Sequence, residues 1–399
     1  MEQKPFDIIL IGATGFTGKQ AAQYFLDRAP SSVRWGIAAR NPKKLKKLAE
    51  KLDLPASATF LVDTLNYEQV EKVVQQAHII VTTAGPFSLY GEQVIKACAH
   101  YGTHYLDITG ETEFIRDMMD QYGDTARENG AALIPFSGFD SVPADLTTML
   151  LSQKFDQPKR LSITSFYSIK GGFNGGTIAT MLNKFETGAY KKMNTPDVLL
   201  EHHEQKIHQK EDAHYFGFRK KMGRWTTPFI MGPINTKVVY RSAELMRRKN
   251  TPYADSISYS EHSLLGKRYN PLPYIGTTLL LAALQTLGPK AWFRNLLKKI
   301  MPAPGEGPSK ETIENGFFKL KAIAEDEKGN QAGLQMFYPG DPGNKSTVFF
   351  LCESALLLAD LLETDTLKAG FLTPASAFGK KLANRLQAKG LEISDWLSS

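Results

Sequence analysis

The stretch from Ile8 to Gly18 constrains the fold more than any other part of the chain. Four consecutive apolar residues, Ile8 to Ile11, break into Gly12, Gly15 and Gly18. A helical pattern follows at once, with Ala21, Ala22, Phe25 and Leu26 on one face. This is the order of a buried strand, a tight turn and a helix start. Gly12 lets the chain leave the strand sharply, Gly15 clears the backbone for a pyrophosphate, and Gly18 lets the helix lie close on the sheet. The helix start adds free N–H groups and a positive dipole end. Gly12, Thr14, Gly15, Phe16, Thr17 and Gly18 are therefore the expected cradle of a dinucleotide.

Strand and helix patterns alternate from there. Val33–Ala39 predicts a second strand, Thr59–Asp63 a third, Ala77–Thr83 a fourth, Thr103–Asp107 a fifth and Ala131–Pro135 a sixth. Helical patterns lie between them, among them 92–100 and 113–129. Such alternation requires right-handed crossovers and a parallel sheet with helices on both faces. Ligands of doubly wound sheets lie at the carboxyl ends of the strands. Arg40, Asp63, the loop from Ala84, Gly85 and Pro86 to Tyr90, the run Asp107–Glu111 and the junction Gly138–Asp145 all fall there. Asp63 would bond the adenine amine or cap the helix starting near Tyr67. Ser141 is the expected N-cap of the helix running to about Gln153, with Pro143 in its first turn.

Arg40 sets the expected cofactor. An acidic residue at this distance past the glycines accepts from the ribose hydroxyls of NAD. Here the place holds Arg40, followed by Asn41-Pro42-Lys43, with no acid near it. A guanidinium attracts a 2′-phosphate and stacks on adenine, which favours NADP over NAD. Lys46 and Lys47 read as the solvated face of the next helix.

The pattern changes after Pro158. Leu161–Ile169 alternates as a half-buried strand does. Gly171–Gly176 is a second glycine-rich loop, read as a turn and not as a second nucleotide site, before a helix over 177–185. His202, His203, His208 and His214 lie among Glu, Gln and Lys, which predicts a solvated helix rather than a metal site. Residues 275–288 are apolar but too short and too polar to span a bilayer. Trp292, Phe293, Leu296, Leu297 and Ile300 then alternate with Lys290, Arg294, Lys298 and Lys299. That basic amphipathic pattern fits a membrane surface, a lipid-binding entrance or a helix packed with its charges outward. A hairpin is expected from 317–325 and 331–338, and a buried helix over 348–362.

The 399 residues suffice for two domains. We expect an N-terminal doubly wound domain over 1–153. A second α+β domain on a mixed sheet should span 154–345, with C-terminal helices over 346–399 packing back on the first. The two cysteines, Cys98 and Cys352, allow no disulfide framework and no cysteine-based zinc site. The first strand begins too early for a signal sequence, so a cytoplasmic chain is expected, with membrane contact at most peripheral. A net charge of +7 without a stripe of interleaved basic and aromatic residues argues against nucleic acid.

Several motifs together resemble the saccharopine dehydrogenase-like oxidoreductases, which include the trans-acting enoyl reductases of bacterial lipid biosynthesis. They are Gly12–Gly18, Ala84–Phe87 with Tyr90-Gly91, Tyr105–Glu111, Gly138–Asp145, Gly340–Gly343, Glu353–Ala355 and Leu372–Ala375. After Gly343 the chain carries Asn344-Lys345, where family members often carry an aromatic residue. The resemblance implies a Rossmann domain, a mixed-sheet second domain, a nicotinamide cofactor and a homodimer. It leaves the substrate open. The apolar 275–300 region fits an acyl or lipid-like compound, and no arginine set for a dicarboxylic amino acid stands out.

We therefore expect NADPH-dependent reduction of a C=C or C=N bond on a hydrophobic substrate. Tyr90 is the expected proton donor, with Asp107, Glu111 and Asp140 orienting ribose or substrate. No Tyr-x-x-x-Lys pair of short-chain type stands beyond the sheet, and there is no Gly-x-Ser-x-Gly elbow. The competing expectations are an NADP(H)-binding lipid-surface scaffold without turnover, and a saccharopine-type amino-acid dehydrogenase.

Overall fold

The computed structural model describes the chain apart from residues 1–3, 173, 189–194, 202–204, 209–215, 304, 363, 365–366 and 398–399. The first part runs β1 (Phe6–Ile11), α1 (Phe16–Arg28), β2 (Trp35–Ala39), α2 (Pro42–Lys51), β3 (Thr59–Leu61), α3 (Tyr67–Val74), β4 (Ala77–Thr82), α4 (Phe87–Tyr90), α5 (Glu92–His100), β5 (His104–Asp107), α6 (Thr112–Glu128), β6 (Ala132–Ile134) and α7 (Val142–Ser152). The middle runs β7 (Arg160–Lys170), α8 (Gly175–Glu186), β8 (Lys206–Ile207), β9 (Gly217–Arg219), β10 (Arg224–Pro228), α9 (Gly232–Arg248), β11 (Ser256–Leu265), α10 (Leu272–Leu287), α11 (Ala291–Ile300), α12 (Lys310–Glu314), β12 (Phe317–Asp326) and β13 (Gln331–Tyr338). The chain closes with α13 (Thr347–Leu361), β14 (Gly370–Phe371), α14 (Pro374–Phe378), α15 (Lys380–Ala388) and β15 (Glu392–Asp395).

The first sheet has the order β14-β6-β5-β4-β1-β2-β3, and its pairs are parallel. Its core explains why β1 reads as an unbroken apolar run. Ile8 and Leu10 pack on one face with Ala21, Ala22 and Phe25 of α1. Ile9 and Ile11 pack on the other with Val70, Val73, Val94 and Ile95 of α3 and α5. Each such side chain contributes about 1.5–3 kcal/mol by leaving water, so a strand covered on both faces has no polar position to give up.

The second sheet has the order β15-β13-β12-β7-β11-β10-β9, with β8 beside β11. β11 runs parallel to β7 and β8, while β12, β13, β10, β9 and β15 pair antiparallel, so the sheet is mixed. Only alternate residues of β12 are buried: Phe318, Leu320, Ala322 and Ala324. The molecule is thus α/β, a doubly wound parallel sheet joined to a domain built on a mixed sheet.

The last residues serve both sheets. β14 pairs with β6 and β15 with β13. α13 joins the core on the α1 side of the first sheet, and the Tyr24 hydroxyl of α1 donates to Glu353 at 2.7 Å. Asp145 of α7 accepts the Ala375 N–H at 2.8 Å and the Ser242 hydroxyl of α9.

Three local expectations need correction. Asn66, not Asp63, caps α3 by accepting from the Gln69 N–H at 3.1 Å, because β3 stops at Leu61 and Asp63 turns inside the following loop. Ser141 precedes α7 but does not cap it, since its hydroxyl donates to Asn235 at 3.1 Å. Residues 200–272, whose periodicity predicts no element beyond a solvated helix around the histidines, contain the buried helix α9. Of the four histidines, His202, His203 and His214 lie outside the described residues. His208 is bonded through its two ring nitrogens to Ser162 and Ser256. Among the described residues no cluster of three or more metal-ligating side chains is present, and no helix is long and apolar enough to cross a membrane.

Candidate active site

The glycine turn after β1 is built as a cradle. Gly12 has φ +81°, which only glycine adopts without strain, and its carbonyl accepts from the Gly15 N–H at 2.9 Å. A Cβ on Gly18 would stand 2.2 Å from the Gly12 oxygen, so glycine alone allows this helix-to-strand approach. A Cβ on Gly15 would meet only that oxygen, at 3.2 Å, and would otherwise project into open space. The first turn of α1 carries no acid that would oppose a phosphate. Thr14 is half-buried and Thr17 buried. The Phe16 ring is covered, because Gly307 of the loop before α12 packs directly upon it.

Arg40 follows β2, the neighbour of β1, and is exposed. Among the described residues it has no ion-pair partner, so its guanidinium is available to a 2′-phosphate. Asp63 is half-buried after β3, where its carboxylate accepts from the Leu65 N–H at 3.2 Å. A glycine turn that a Cβ would fill, facing a helix N-terminus and an unengaged arginine, fits an NADP pyrophosphate and 2′-phosphate.

The loops after β4, β5 and β6 converge beside this cradle. Ala84, Gly85 and Pro86 leave β4, with the Gly85–Pro86 bond cis. The buried Glu111 carboxylate accepts from the N–H groups of Phe87 at 2.7 Å and Ser88 at 3.2 Å, and so clamps this loop to the one after β5. Tyr90, half-buried, ends the clamped segment.

Asp107 does not reach the mouth. It is wholly buried, and its oxygens accept from the Tyr105 hydroxyl at 2.7 Å, the Thr109 N–H at 3.0 Å and the Phe136 N–H at 3.1 Å. Burial pushes its carboxyl up to about 7, with these bonds drawing it back in part. It therefore holds the exits of β5 and β6 rather than touching a ligand. Asp140 is half-buried at this end.

Helix α8 closes the mouth from the second domain. Its N-cap Asn174 accepts from the Thr177 N–H at 3.0 Å and donates to Asn344 at 3.0 Å. Asn344 donates in turn to Asp341 at 2.6 Å, which ties the Gly171–Gly176 loop to the Gly340–Gly343 turn. Farther along α8, Lys184 donates to the Gly110 carbonyl at 2.7 Å and Asn183 to the Ser88 hydroxyl at 3.3 Å. Burial lowers the Lys184 ammonium, while Glu113, Glu111 and Asp140 pull it back up. Burial likewise raises the Asp140 carboxyl to about 6, against the attraction of Lys184. Lys184 and Asp140 are thus electrostatic neighbours.

A polar chain lies beneath them. Ser141 donates to Asn235, and Asn235 donates to both oxygens of Glu261 at 3.2 and 3.0 Å. Tyr259 and Tyr167 donate to the same Glu261, at 2.6 and 3.1 Å. Burial pushes its carboxyl up to about 7. Periodicity points to neither Lys184 nor this chain: Lys184 lies within the helix expected over 177–185, and its only sequence signal is a lysine between Asn183 and Phe185.

Residues 8–134 match the family model described as the saccharopine dehydrogenase NADP binding domain. A Mycobacterium tuberculosis chain, named provisionally as a trans-acting enoyl reductase, is 33% identical over 423 residues, covering 98% of this chain and 97% of its own. The trans-acting enoyl reductase of Mycobacterium ulcerans is 32% identical over 419 residues, covering 98% of each. Among solved structures, the apo saccharopine dehydrogenase (L-Glu forming) of Saccharomyces cerevisiae superposes with a TM-score of 0.58 at 11% identity, covering 98% of this chain and 100% of its own. At that identity the likeness is one of fold.

Proposed function

From a chain that belongs to the saccharopine dehydrogenase-like oxidoreductases, and binds NADP as they do, we propose a reductase of a C=C or C=N bond on a hydrophobic, acyl or lipid-like substrate. Bound NADPH supplies the hydride. The residues at the mouth would position the substrate and handle the proton. For an enoyl thioester, the β carbon accepts the hydride, charge develops on the carbonyl oxygen, and the α carbon needs a proton. Tyr90, Lys184 and Asp140 are our candidates for that donor. Asp107 and Glu111 act as positioning residues for the loops that carry Tyr90 and Gly110.

The observation that carries this reading is that the lysines near the mouth are already engaged: Lys184 donates to the Gly110 carbonyl at 2.7 Å and Lys237 to Glu113 at 2.8 Å. A dicarboxylic amino acid would need such cations for its carboxylates, whereas an uncharged acyl group would not. The names of the relatives support the enoyl form.

The test is NADPH oxidation with a long-chain 2-enoyl thioester or a cyclic imine, and NADP+ reduction with a glutamate-derived secondary amine, each followed by absorbance. Turnover of the enoyl thioester or imine is expected. Turnover of the glutamate derivative alone would replace this reading with a saccharopine-type one. NADPH binding with no turnover of any would favour a scaffold.

A further inference from the structure

We infer that α10 and α11 form a docking face for an anionic phospholipid bilayer. The first observation is charge. From His262 to Gly305 the chain contains no Asp or Glu, while Lys267, Arg268, Lys290, Arg294, Lys298 and Lys299 all fall within it. Lys298 approaches Glu186 of α8 at 4.0 Å, and Arg294 donates to the Pro289 carbonyl at 2.5 Å. Lys267, Lys290 and Lys299 have no ion-pair partner among the described residues.

The second observation is exposure. No residue of α10 is buried, and Leu272, Leu279 and Leu280 are 73%, 66% and 57% exposed. With Ile275 they follow the spacing of a single helix face. On α11, Trp292, Leu296 and Ile300 form a second exposed stripe at four-residue intervals. Tyr269, before α10, is 89% exposed. So many exposed large apolar side chains on two successive helices are uncommon on soluble proteins and point to an interaction site.

The third observation is anchorage. The opposite side of α11 is already engaged, with Leu297 and Phe293 packed against Ile178 and Leu182 of α8. Rotating α11 to hide Trp292 would pull those residues out. The outward stripe therefore belongs to the folded state. An apolar stripe with basic flanks, on helices that do not span a bilayer, is the composition of an interfacial helix that lies in the headgroup region. Through Leu297 and Phe293 the docked face rests on α8, the helix that carries Lys184. The docking does not depend on the substrate proposed above.

The experiment is co-sedimentation of the full chain with phosphatidylcholine vesicles and with vesicles of phosphatidylcholine and phosphatidylglycerol. Binding to the anionic vesicles should exceed that to neutral ones by about tenfold or more, and should weaken with salt. Tryptophan emission should shift to the blue on binding, and Trp292→Phe should remove the shift. Leu279→Glu with Leu280→Glu should abolish sedimentation while leaving NADPH affinity and melting temperature unchanged, because both leucines face solvent. Lys290→Glu with Lys299→Glu should erase the preference for anionic lipid. Absence of binding to either vesicle would overturn the inference, as would binding indifferent to the leucine pair. A vesicle-free dimer that the leucine pair dissociates, with no lipid binding, would overturn it in favour of an interface between copies.

Discussion

Lys184 of α8 donates to the carbonyl oxygen of Gly110 at 2.7 Å, so the second domain grips the loop that leaves β5. Its charge also balances Glu113, Glu111 and Asp140 around the mouth. Lys184→Met should lower kcat/KM by about a hundredfold, the lower range for loss of a proton-handling group, with NADPH affinity nearly unchanged. Lys184→Arg should recover part of the loss if charge is the need. Steady-state kinetics beside calorimetric NADPH titration separates the two quantities.

Glu111→Ala should strip the buried Phe87 N–H, and the more exposed N–H of Ser88, of their acceptor. Leaving such donors unpaired costs about 1–3 kcal/mol. The urea midpoint should fall accordingly. Catalysis should fall further, because Tyr90 rides on the loosened segment.

Arg40→Ala tests the cofactor preference. On the order of a tenfold or greater loss of NADPH affinity is expected from removing a charge-assisted phosphate contact. NADH affinity should hardly move. Calorimetry with both cofactors on both proteins decides, and equal losses would remove Arg40 from the site.

Gly15→Ala and Gly18→Ala should part company. The Gly18 variant forces a methyl to within 2.2 Å of the Gly12 oxygen and should cost about 1–3 kcal/mol by overpacking. The Gly15 variant meets that oxygen only at 3.2 Å. It should keep its melting temperature yet bind NADPH poorly, since its methyl enters the path of the pyrophosphate.

Asp145 gives a pH signature. Burial lifts its carboxyl from 3.8 to about 7, more than the Ser242, Ala375 and Thr373 bonds lower it. Between those values the folded chain holds a proton that the unfolded chain has released. The stabilisation is therefore complete below about pH 4 and is lost as pH rises through about 7. Asp145→Asn has no such proton. The stability advantage of the wild type over this variant should shrink between about pH 4 and pH 7 in urea titrations.

The parallel sheet was legible because Ile8 to Ile11 are apolar in sequence and buried on both faces, and because Gly12 and Gly18 each meet a backbone demand that no other residue satisfies. Arg40 was legible because its place is counted from that turn. Lys184 was not, since its meaning lies in a contact with Gly110 across 74 residues. Helix α9 was hidden by its own polarity. Lys237, Arg241 and Glu244 are charged residue types that belong on a surface, yet each is buried with a partner: Lys237 donates to Glu113 at 2.8 Å and Arg241 to Glu244 at 2.8 Å. Asp107 was placed at the correct strand end, but periodicity carries no information on whether such a carboxylate faces outward or is consumed by its own loops.

The pairing of Gly370 and Phe371 with Ala132 and Leu133 has a consequence for synthesis. While the chain emerges from the ribosome, the β6 edge of an otherwise finished sheet stays open until the closing residues arrive. An open edge invites pairing with another nascent chain. Arrival of Gly370 and Phe371 is then also the protection of that edge. A copy cut short before Gly370 would carry its glycine turn intact and still be a target for aggregation and for the cell's proteases.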